Sequence, residues 1–297
     1  MNQDPLVRCP RILSYGGGLD SFAMLVESIR RGCAPDAVVM CDVGAPGDLG
    51  EWPSTYRHVD EVVRPLCERH GIQFVMITGD QYPVRGERSL WAYYEKTNSM
   101  PGRMSRLCAN AAKVERFARW ANDNYPDREI EVWVGFEAGE EERAANDPHG
   151  DKAATKPKRR RAGKCTRVNR FPLIEWDLCR CRCEALVREA GHPVPRKSAC
   201  VFCCFNKPGD FQTLARELPD AFERIAAHEE RAKLTASGYK IRYFQASSGG
   251  KRVGLPLAEA IARPYRPQQK PCGVCGAALR ASKATGCGYL GQDAEVH

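Results

Sequence analysis

The cysteines are the residues whose type and spacing most directly indicate chemistry in this chain. There are 15 among 297 residues, and two pairs, Cys200 with Cys203 and Cys272 with Cys275, have the Cys-x-x-Cys spacing. We expect a soluble, cytoplasmic protein with no membrane contact, because the first residues lack a signal-peptide pattern and no apolar run approaches the roughly 18 residues that span a bilayer. In that setting, clustered thiols indicate metal or redox chemistry rather than disulfide bonds.

The C-terminal pair has the pattern of a zinc knuckle. Cys272 and Cys275 enclose a glycine-containing turn, and Cys287 follows after eleven residues. Thiolates at this spacing favour a structural zinc ion, which takes four ligands. We expect the fourth ligand to be His297, Cys165 or a residue of another chain; the alternative is a turn that binds no metal.

A glycine-rich stretch near the N-terminus has the composition of a phosphate-binding turn. Three successive glycines permit positive φ and leave no side chains in the way, so several N–H groups can converge on an anion. A helix start follows, and its positive end points toward the same place. The alternative is a tight turn without a ligand, since the spacing matches neither a Walker loop nor a dinucleotide fingerprint. The predicted nucleotide-binding residues of this stretch are Ser14, Gly16, Gly17, Gly18, Asp20 and Ser21.

The elements around this turn are predicted to form a parallel α/β sheet. Short apolar runs at 37–42, 73–78 and 130–134 have the length of buried strands, and helical patterns separate them. The first of these runs ends on Asp42. One interpretation is that this carboxylate contacts a nucleotide at the point where the strand order reverses. The alternative is a solvated carboxylate at the end of a strand.

Positive charge is concentrated in one segment. The chain has a net charge of +8, and nine lysines and arginines fall within residues 152–170. This run is either a solvated loop or an arm that contacts nucleic-acid phosphates. The composition indicates a nucleotide-binding domain at 1–150, a basic loop at 151–170, a helical cysteine-rich region at 171–240 and a C-terminal tail at 241–297.

Five motifs occur in the order found in one known family. They are the loop Ser14 to Ser21, Ser105-Arg106-Leu107-Cys108 with Lys113, Val134-Gly135-Phe136, Phe171-Pro172-Leu173-Ile174, and Lys197-Ser198-Ala199-Cys200-Val201-Phe202-Cys203. The chain thereby resembles the phosphoadenosine-phosphosulfate reductase-like family of the adenine nucleotide alpha hydrolases, the PP-loop ATP pyrophosphatase superfamily. The likeness covers roughly residues 9 to 235. It is greatest for the bacterial and phage branch that includes the sulfur-inserting protein of DNA phosphorothioation systems.

The resemblance implies a fold and a metal site. The implied fold is a Rossmann-like sheet of five parallel strands with an adenine nucleotide over the glycine loop, followed by a helical, cysteine-rich C-terminal region. The implied ligands of a [4Fe-4S] cluster, or of a zinc ion in its place, are Cys108, Cys183, Cys200 and Cys203. Cys179 or Cys181 is an alternative to Cys183 within this set.

The resemblance also implies an activity. ATP with Mg²⁺ would adenylate an acceptor, pyrophosphate and AMP would be released, and sulfur from a donor such as a cysteine desulfurase would be inserted. Asp20, Arg106 and Lys113 are the predicted catalytic residues, the two cations because they would neutralise charge on the phosphates. The expected acceptor is a nucleotide or a nucleic acid, either DNA or tRNA, held through the basic loop.

Two other functions remain open on the sequence. One is phosphoadenosine- or adenosine-phosphosulfate reduction, although the C-terminal residues read Gly286-Cys287-Gly288-Tyr289 in place of the family's Glu-Cys-Gly-x-His nucleophile tail. The other is a nucleotide- and zinc-binding module without turnover.

Overall fold

Five short segments pair into one parallel β-sheet. The structure is a computed structural model that describes residues 8–102, 107–147, 162–232, 242–248, 251–265 and 272–275. The strands are β1 (Arg11–Tyr15), β2 (Ala37–Cys41), β3 (Gln73–Ile77), β4 (Glu129–Trp133) and β5 (Thr166–Arg170). Across the sheet their order is β3-β2-β1-β4-β5, and every neighbouring pair is parallel. The predicted five-stranded α/β fold is confirmed.

Helices connect the strands and cover both faces of the sheet. They are α1 (Leu19–Arg30), α2 (Pro53–His58), α3 (Arg64–Arg69), α4 (Leu90–Thr97), α5 (Leu107–Ala109), α6 (Glu115–Asn124), α7 (Glu141–Ala145), α8 (Pro172–Glu175), α9 (Arg180–Glu189), α10 (Pro208–Glu217), α11 (Pro219–Arg231) and α12 (Leu257–Ala262). Two π-helical turns, Val59–Val63 and Asn110–Val114, join α2 to α3 and α5 to α6. The predicted cysteine-rich helical region corresponds to α8 through α11.

The alternation of side chains along β1 divides the core into two layers. Leu13 packs with Phe22 of α1 on one face, whereas Ile12 packs with Trp120 of α6 on the other. Both faces of a parallel sheet are covered in this way, which explains why its strands are apolar throughout. A third apolar cluster lies outside these layers and includes Trp91 of α4 and Phe211 of α10.

A buried arginine holds the loops at the carboxyl end of β2. Arg116 of α6 is fully buried, and its guanidinium donates to the carbonyl oxygens of Tyr82 at 2.6 Å, Arg88 at 3.1 Å and Asp42. A buried cation requires such acceptors, because a charge removed from water is costly unless it is hydrogen-bonded. Arg116 therefore fixes the backbone around Asp42, which the sequence analysis predicts as a contact to the nucleotide.

Three elements differ from the sequence-based expectation. The last residues of the expected basic loop form the edge strand β5, in which Arg167 lies over the ring of Phe117 at 5.9 Å. The apolar pattern from about Asp210 to Lys233 predicts one long helical region, but the structure divides it at Leu218, because Pro219 disfavours helical backbone at the residue before it. An antiparallel hairpin, β6 (Phe244–Ser248) and β7 (Lys251–Leu255), was not predicted.

Within the described ranges, no helix is long and apolar enough to cross a membrane.

Candidate active site

The sheet topology sets the position of the candidate site. From β1 the chain proceeds to β2 on one side, and β4 pairs with β1 on the other. The connections that leave the carboxyl ends of these neighbouring strands therefore run toward opposite edges of the sheet, and a crevice opens between them. The glycine loop between β1 and α1 lies at this point.

The loop has the backbone conformation that its glycines permit. Gly17 has φ of +76°, and a Cβ atom on it would lie 2.7 Å from Cγ2 of Thr55. The Gly16 N–H donates to Oγ of Ser21 at 3.2 Å, and that hydroxyl donates to the carbonyl of Gly18 at 3.1 Å. Gly18 caps α1 without a side-chain hydrogen bond. A helix end of this kind is suited to an anion, because its first N–H groups and its dipole favour negative charge.

A second segment closes over the loop. The hydroxyl of Ser198 donates to the carbonyl oxygen of Gly16, and Cβ atoms on Gly17 and Gly18 would lie 3.5 Å and 3.2 Å from Ser198. Ser198 belongs to the Lys-Ser-Ala-Cys motif, which the sequence analysis recognised without giving this serine a role. The contact joins the glycine loop directly to the segment that carries Cys200.

A cavity of about 940 Å³ lies beside the loop. Ser14 and Gly16 contribute to its wall from the end of β1, and Lys113, Arg143 and Arg167 contribute cationic side chains. Aromatic rings form another part of the wall, including Phe117 and Phe136. A cavity with aromatic surface, cations and a neighbouring anion-binding turn is suited to a nucleotide.

Lys113 connects this cavity to the cysteines. Its Nζ lies 3.4 Å from Oε1 of Glu51, whose side chain is fully buried. The Glu51 carboxylate, the thiol of Cys200 and that of Cys41 raise the pKa of Lys113, the carboxylate most strongly and against the opposing effect of burial. The backbones of Glu51 and Cys200 also form an antiparallel bridge. The predicted catalytic lysine therefore lies between the cavity wall and Cys200.

Three of the four predicted cluster ligands are neighbours. The thiol of Cys200 is buried and interacts electrostatically with those of Cys203 and Cys108. A hydrogen bond from Cys204 lowers the pKa of Cys203 to about 6, and the N–H of Phe205, which lies 3.5 Å from its Sγ, contributes further. The lowered pKa favours the thiolate of Cys203, the form that binds metals and acts as a nucleophile.

Cys183 does not join these three cysteines. It is fully buried in the core layer of α1, with Leu13 and Phe22, and its Sγ lies 3.9 Å from the carbonyl oxygen of Leu178. Helix α9 turns this side chain toward α1, whereas Cys200 belongs to the third apolar cluster. Burial and the neighbouring Asp20 carboxylate raise the pKa of the Cys183 thiol.

The two carboxylates that were predicted to bind the nucleotide, Asp42 and Asp20, already have partners within the protein. Oδ1 of Asp42 accepts hydrogen bonds from the hydroxyl of Tyr56 at 2.6 Å and from the N–H of Gly44 at 2.9 Å. Asp20 forms an ion pair with Arg180 at 3.2 Å. Burial raises the pKa of Asp20, and Arg180 opposes that rise. Asp42 thus shapes the loop after β2, and Arg180 is a site residue that sequence analysis missed.

Some predicted site residues lie outside the described residues. These are Arg106, Cys287 and His297, together with residues 151–161 of the basic loop.

The C-terminal Cys-x-x-Cys pair meets a different partner from the one expected. Cys179, Cys272 and Cys275 form a group in which the three Sγ atoms all lie within 4.8 Å of one another. Among the described residues, it is the one group of three His, Cys, Asp or Glu side chains this close together. Cys165, one of the expected fourth ligands, is not in the group; it directly precedes β5.

Comparisons with known proteins give distant likenesses. No protein-family model matches the chain. An uncharacterized protein of Methanocaldococcus jannaschii is 22% identical over 224 residues, which make up 73% of this chain and 41% of that protein. The chain therefore spans less than half of that relative's length. Among solved structures, the U34-tRNA thiolase NcsA from Methanococcus maripaludis with its [4Fe-4S] cluster aligns with 77% of this chain and 74% of its own, at 15% identity and a TM-score of 0.40.

Proposed function

We propose that this chain is an adenylating enzyme that binds ATP with Mg²⁺ over the glycine loop and activates an acceptor for sulfur insertion. The observation that carries the proposal is the position of Lys113, which lines the cavity beside the loop and contacts the buried Glu51 next to Cys200. Lys113 and Glu51 thereby connect the cavity beside the glycine loop to the cysteine segment.

The loop and the cavity would bind different parts of the nucleotide. The phosphates would lie at the N-terminus of α1, where N–H groups and the helix dipole favour negative charge. The adenosine would occupy the cavity of about 940 Å³, a volume within the range of small-molecule sites. Lys113 would then neutralise charge that develops on the phosphates, and removal of one such group costs a few kcal/mol of transition-state stabilisation, about 100-fold or more in rate.

The proposed reaction has two steps. An oxygen of the acceptor attacks the α-phosphorus of ATP, and the bond to the β,γ-phosphates breaks, which releases pyrophosphate. A sulfide ion then attacks the activated acceptor atom, and the bond from that atom to the AMP oxygen breaks, which releases AMP. A persulfide donor would in addition require a thiol reductant to cleave its S–S bond. The acceptor we propose is a nucleic acid or nucleotide, in agreement with the net charge of +8 and the basic run.

The neighbouring thiols fit a cluster better than a single ion. Cys108, Cys200 and Cys203 interact electrostatically, yet they are not among the described side chains whose ligand atoms all lie within 4.8 Å. A polynuclear cluster separates its thiolate ligands more widely than one ion does. A [4Fe-4S] cluster held by these three residues would supply redox or sulfur chemistry next to the nucleotide.

Product analysis tests this proposal. Protein purified and reconstituted with iron and sulfide under anaerobic conditions is incubated with α-labelled ATP, sulfide, and tRNA or DNA. We expect AMP and pyrophosphate in equal amounts, formed only when an acceptor is present. Lys113→Met should reduce AMP formation about 100-fold. The matched control is Lys96→Met, which removes an exposed lysine paired with Glu87 and should leave the rate unchanged.

Other products would refute the adenylation proposal. Sulfite released from phosphoadenosine phosphosulfate with a thiol donor would identify a reductase. Binding of ATP without any turnover across tRNA, DNA and small acceptors would identify a binding module.

A further inference from the structure

The three-cysteine group at Cys179, Cys272 and Cys275 lies apart from the proposed cluster ligands. Cys179 is the N-cap residue of α9 and is buried, whereas Cys275 is exposed. The thiols of Cys179 and Cys272 are joined by a hydrogen bond, and Cys275 interacts electrostatically with Cys179. The group therefore brings together one buried residue of the helical region and the Cys-x-x-Cys turn that follows it far along the chain.

The distances match a single tetrahedral ion. Zinc binds thiolate sulfur at about 2.3 Å, so two sulfur ligands of one zinc ion lie about 3.8 Å apart in a tetrahedral site. Three Sγ atoms that all lie within 4.8 Å of one another need only a small adjustment to reach that geometry.

The turn is seated on the protein by a second contact. A Cβ atom on Gly139 would lie 2.5 Å from Cγ2 of Val274, so the Cys-x-x-Cys turn packs directly against the backbone of that glycine. Gly139 has φ of +99°, a conformation that other residues rarely adopt. Gly139 and its neighbour Glu140 also line the cavity beside the glycine loop.

We propose that Cys179, Cys272 and Cys275 bind one Zn²⁺ ion, and that this ion fastens the C-terminal turn to the start of α9 and to the cavity wall at Gly139. Water takes the fourth coordination position. Cys179, which the sequence did not suggest for this knuckle, is the ligand that the folded domain supplies. Arg180, next in the chain, forms the ion pair with Asp20 of the glycine loop, so the ion would hold the first turn of α9 in that position.

The test measures protection of individual cysteines in the full-length protein. Reduced, metal-free protein is titrated with Zn²⁺ and then alkylated briefly, and modification at each cysteine is quantified by peptide mass spectrometry. We expect Zn²⁺ to protect Cys272 and Cys275 together. Cys179→Ser should weaken that protection by about 100-fold in Zn²⁺ concentration, since even groups that only support a metal ligand contribute roughly 10- to 100-fold to affinity.

Two further variants keep the test decisive. Cys275→Ser changes an exposed residue and should fold as the wild type does, but Cys272 should lose its protection. Cys33→Ser, in a partly buried position outside the group, should leave protection unchanged. The proposal is overturned if Zn²⁺ protects Cys272 and Cys275 in the Cys179→Ser variant at the same concentration as in the wild type. It is also overturned if Zn²⁺ protects neither cysteine in the reduced wild-type protein. Because this readout involves neither ATP nor iron, it is independent of the proposed adenylation.

Discussion

The conformation of Gly17 can be tested by adding one methyl group. In Gly17→Ala, an alanine would have to adopt φ near +76°, and left-handed backbone costs L-residues roughly 1–2 kcal/mol. The new Cβ would also lie 2.7 Å from Cγ2 of Thr55, closer than carbon atoms approach. Overpacking of that kind typically costs a further 1–3 kcal/mol or so. We expect the free energy of unfolding, measured by urea denaturation, to fall by about 2–5 kcal/mol.

A control and a rescue variant separate the two costs. Gly32 also has positive φ, +67°, but a Cβ atom there would meet nothing within 4 Å. Gly32→Ala should therefore lose only the backbone contribution of roughly 1–2 kcal/mol. Thr55→Ser removes the methyl group that the new Cβ meets, so Gly17→Ala combined with Thr55→Ser should recover part of the loss. Equal destabilisation by Gly17→Ala and Gly32→Ala, with no recovery, would refute the close packing of Thr55 on the loop.

Two other predictions concern buried basic side chains. Burial lowers the pKa of His58 to about 4, and His192 contributes in the same direction. As pH falls below about 6.5, the histidine of the unfolded chain binds a proton while that of the folded protein does not, so the free energy of unfolding decreases. Between about pH 7.5 and pH 5, urea denaturation should show that the free energy of unfolding falls by about 2 kcal/mol more in the wild type than in His58→Gln. An equal loss in both proteins would contradict the burial of an uncharged His58. Arg116→Met leaves three buried carbonyl groups without their donor and should lower the free energy of unfolding by about 3 kcal/mol or more. Arg119→Met, which removes one such bond, should cost about 1 kcal/mol in the same assay, and comparable losses would show that Arg116 does not organise these loops.

The sheet and the loop were predictable because their signals are local. Apolar runs of strand length and a glycine triplet before a helix are each determined by neighbouring residues, and the structure has both at the expected places. Strand β5 was missed because its charged residues resemble those of the preceding basic run, and Arg167 packs its charge over an aromatic ring. An edge strand of this kind has no apolar pattern to detect.

The partners of the site residues depend on tertiary contacts that spacing does not encode. Cys179 and Cys183 lie on successive turns at the start of one helix, yet Cys179 meets Cys272 while Cys183 packs into the core beside Phe22. Only the direction in which α9 packs on α1 decides between these outcomes. The contact of Ser198 with the glycine loop has the same origin, since it joins segments separated by most of the folded chain.

The most direct test of the proposed nucleotide site is a crystal structure of the protein with Mg²⁺ and a non-hydrolysable ATP analogue. We predict that the triphosphate contacts backbone N–H groups between Gly17 and Ser21, with the adenosine in the cavity whose wall includes Lys113. An analogue bound elsewhere on the protein, with no phosphate at the glycine loop, would contradict that prediction.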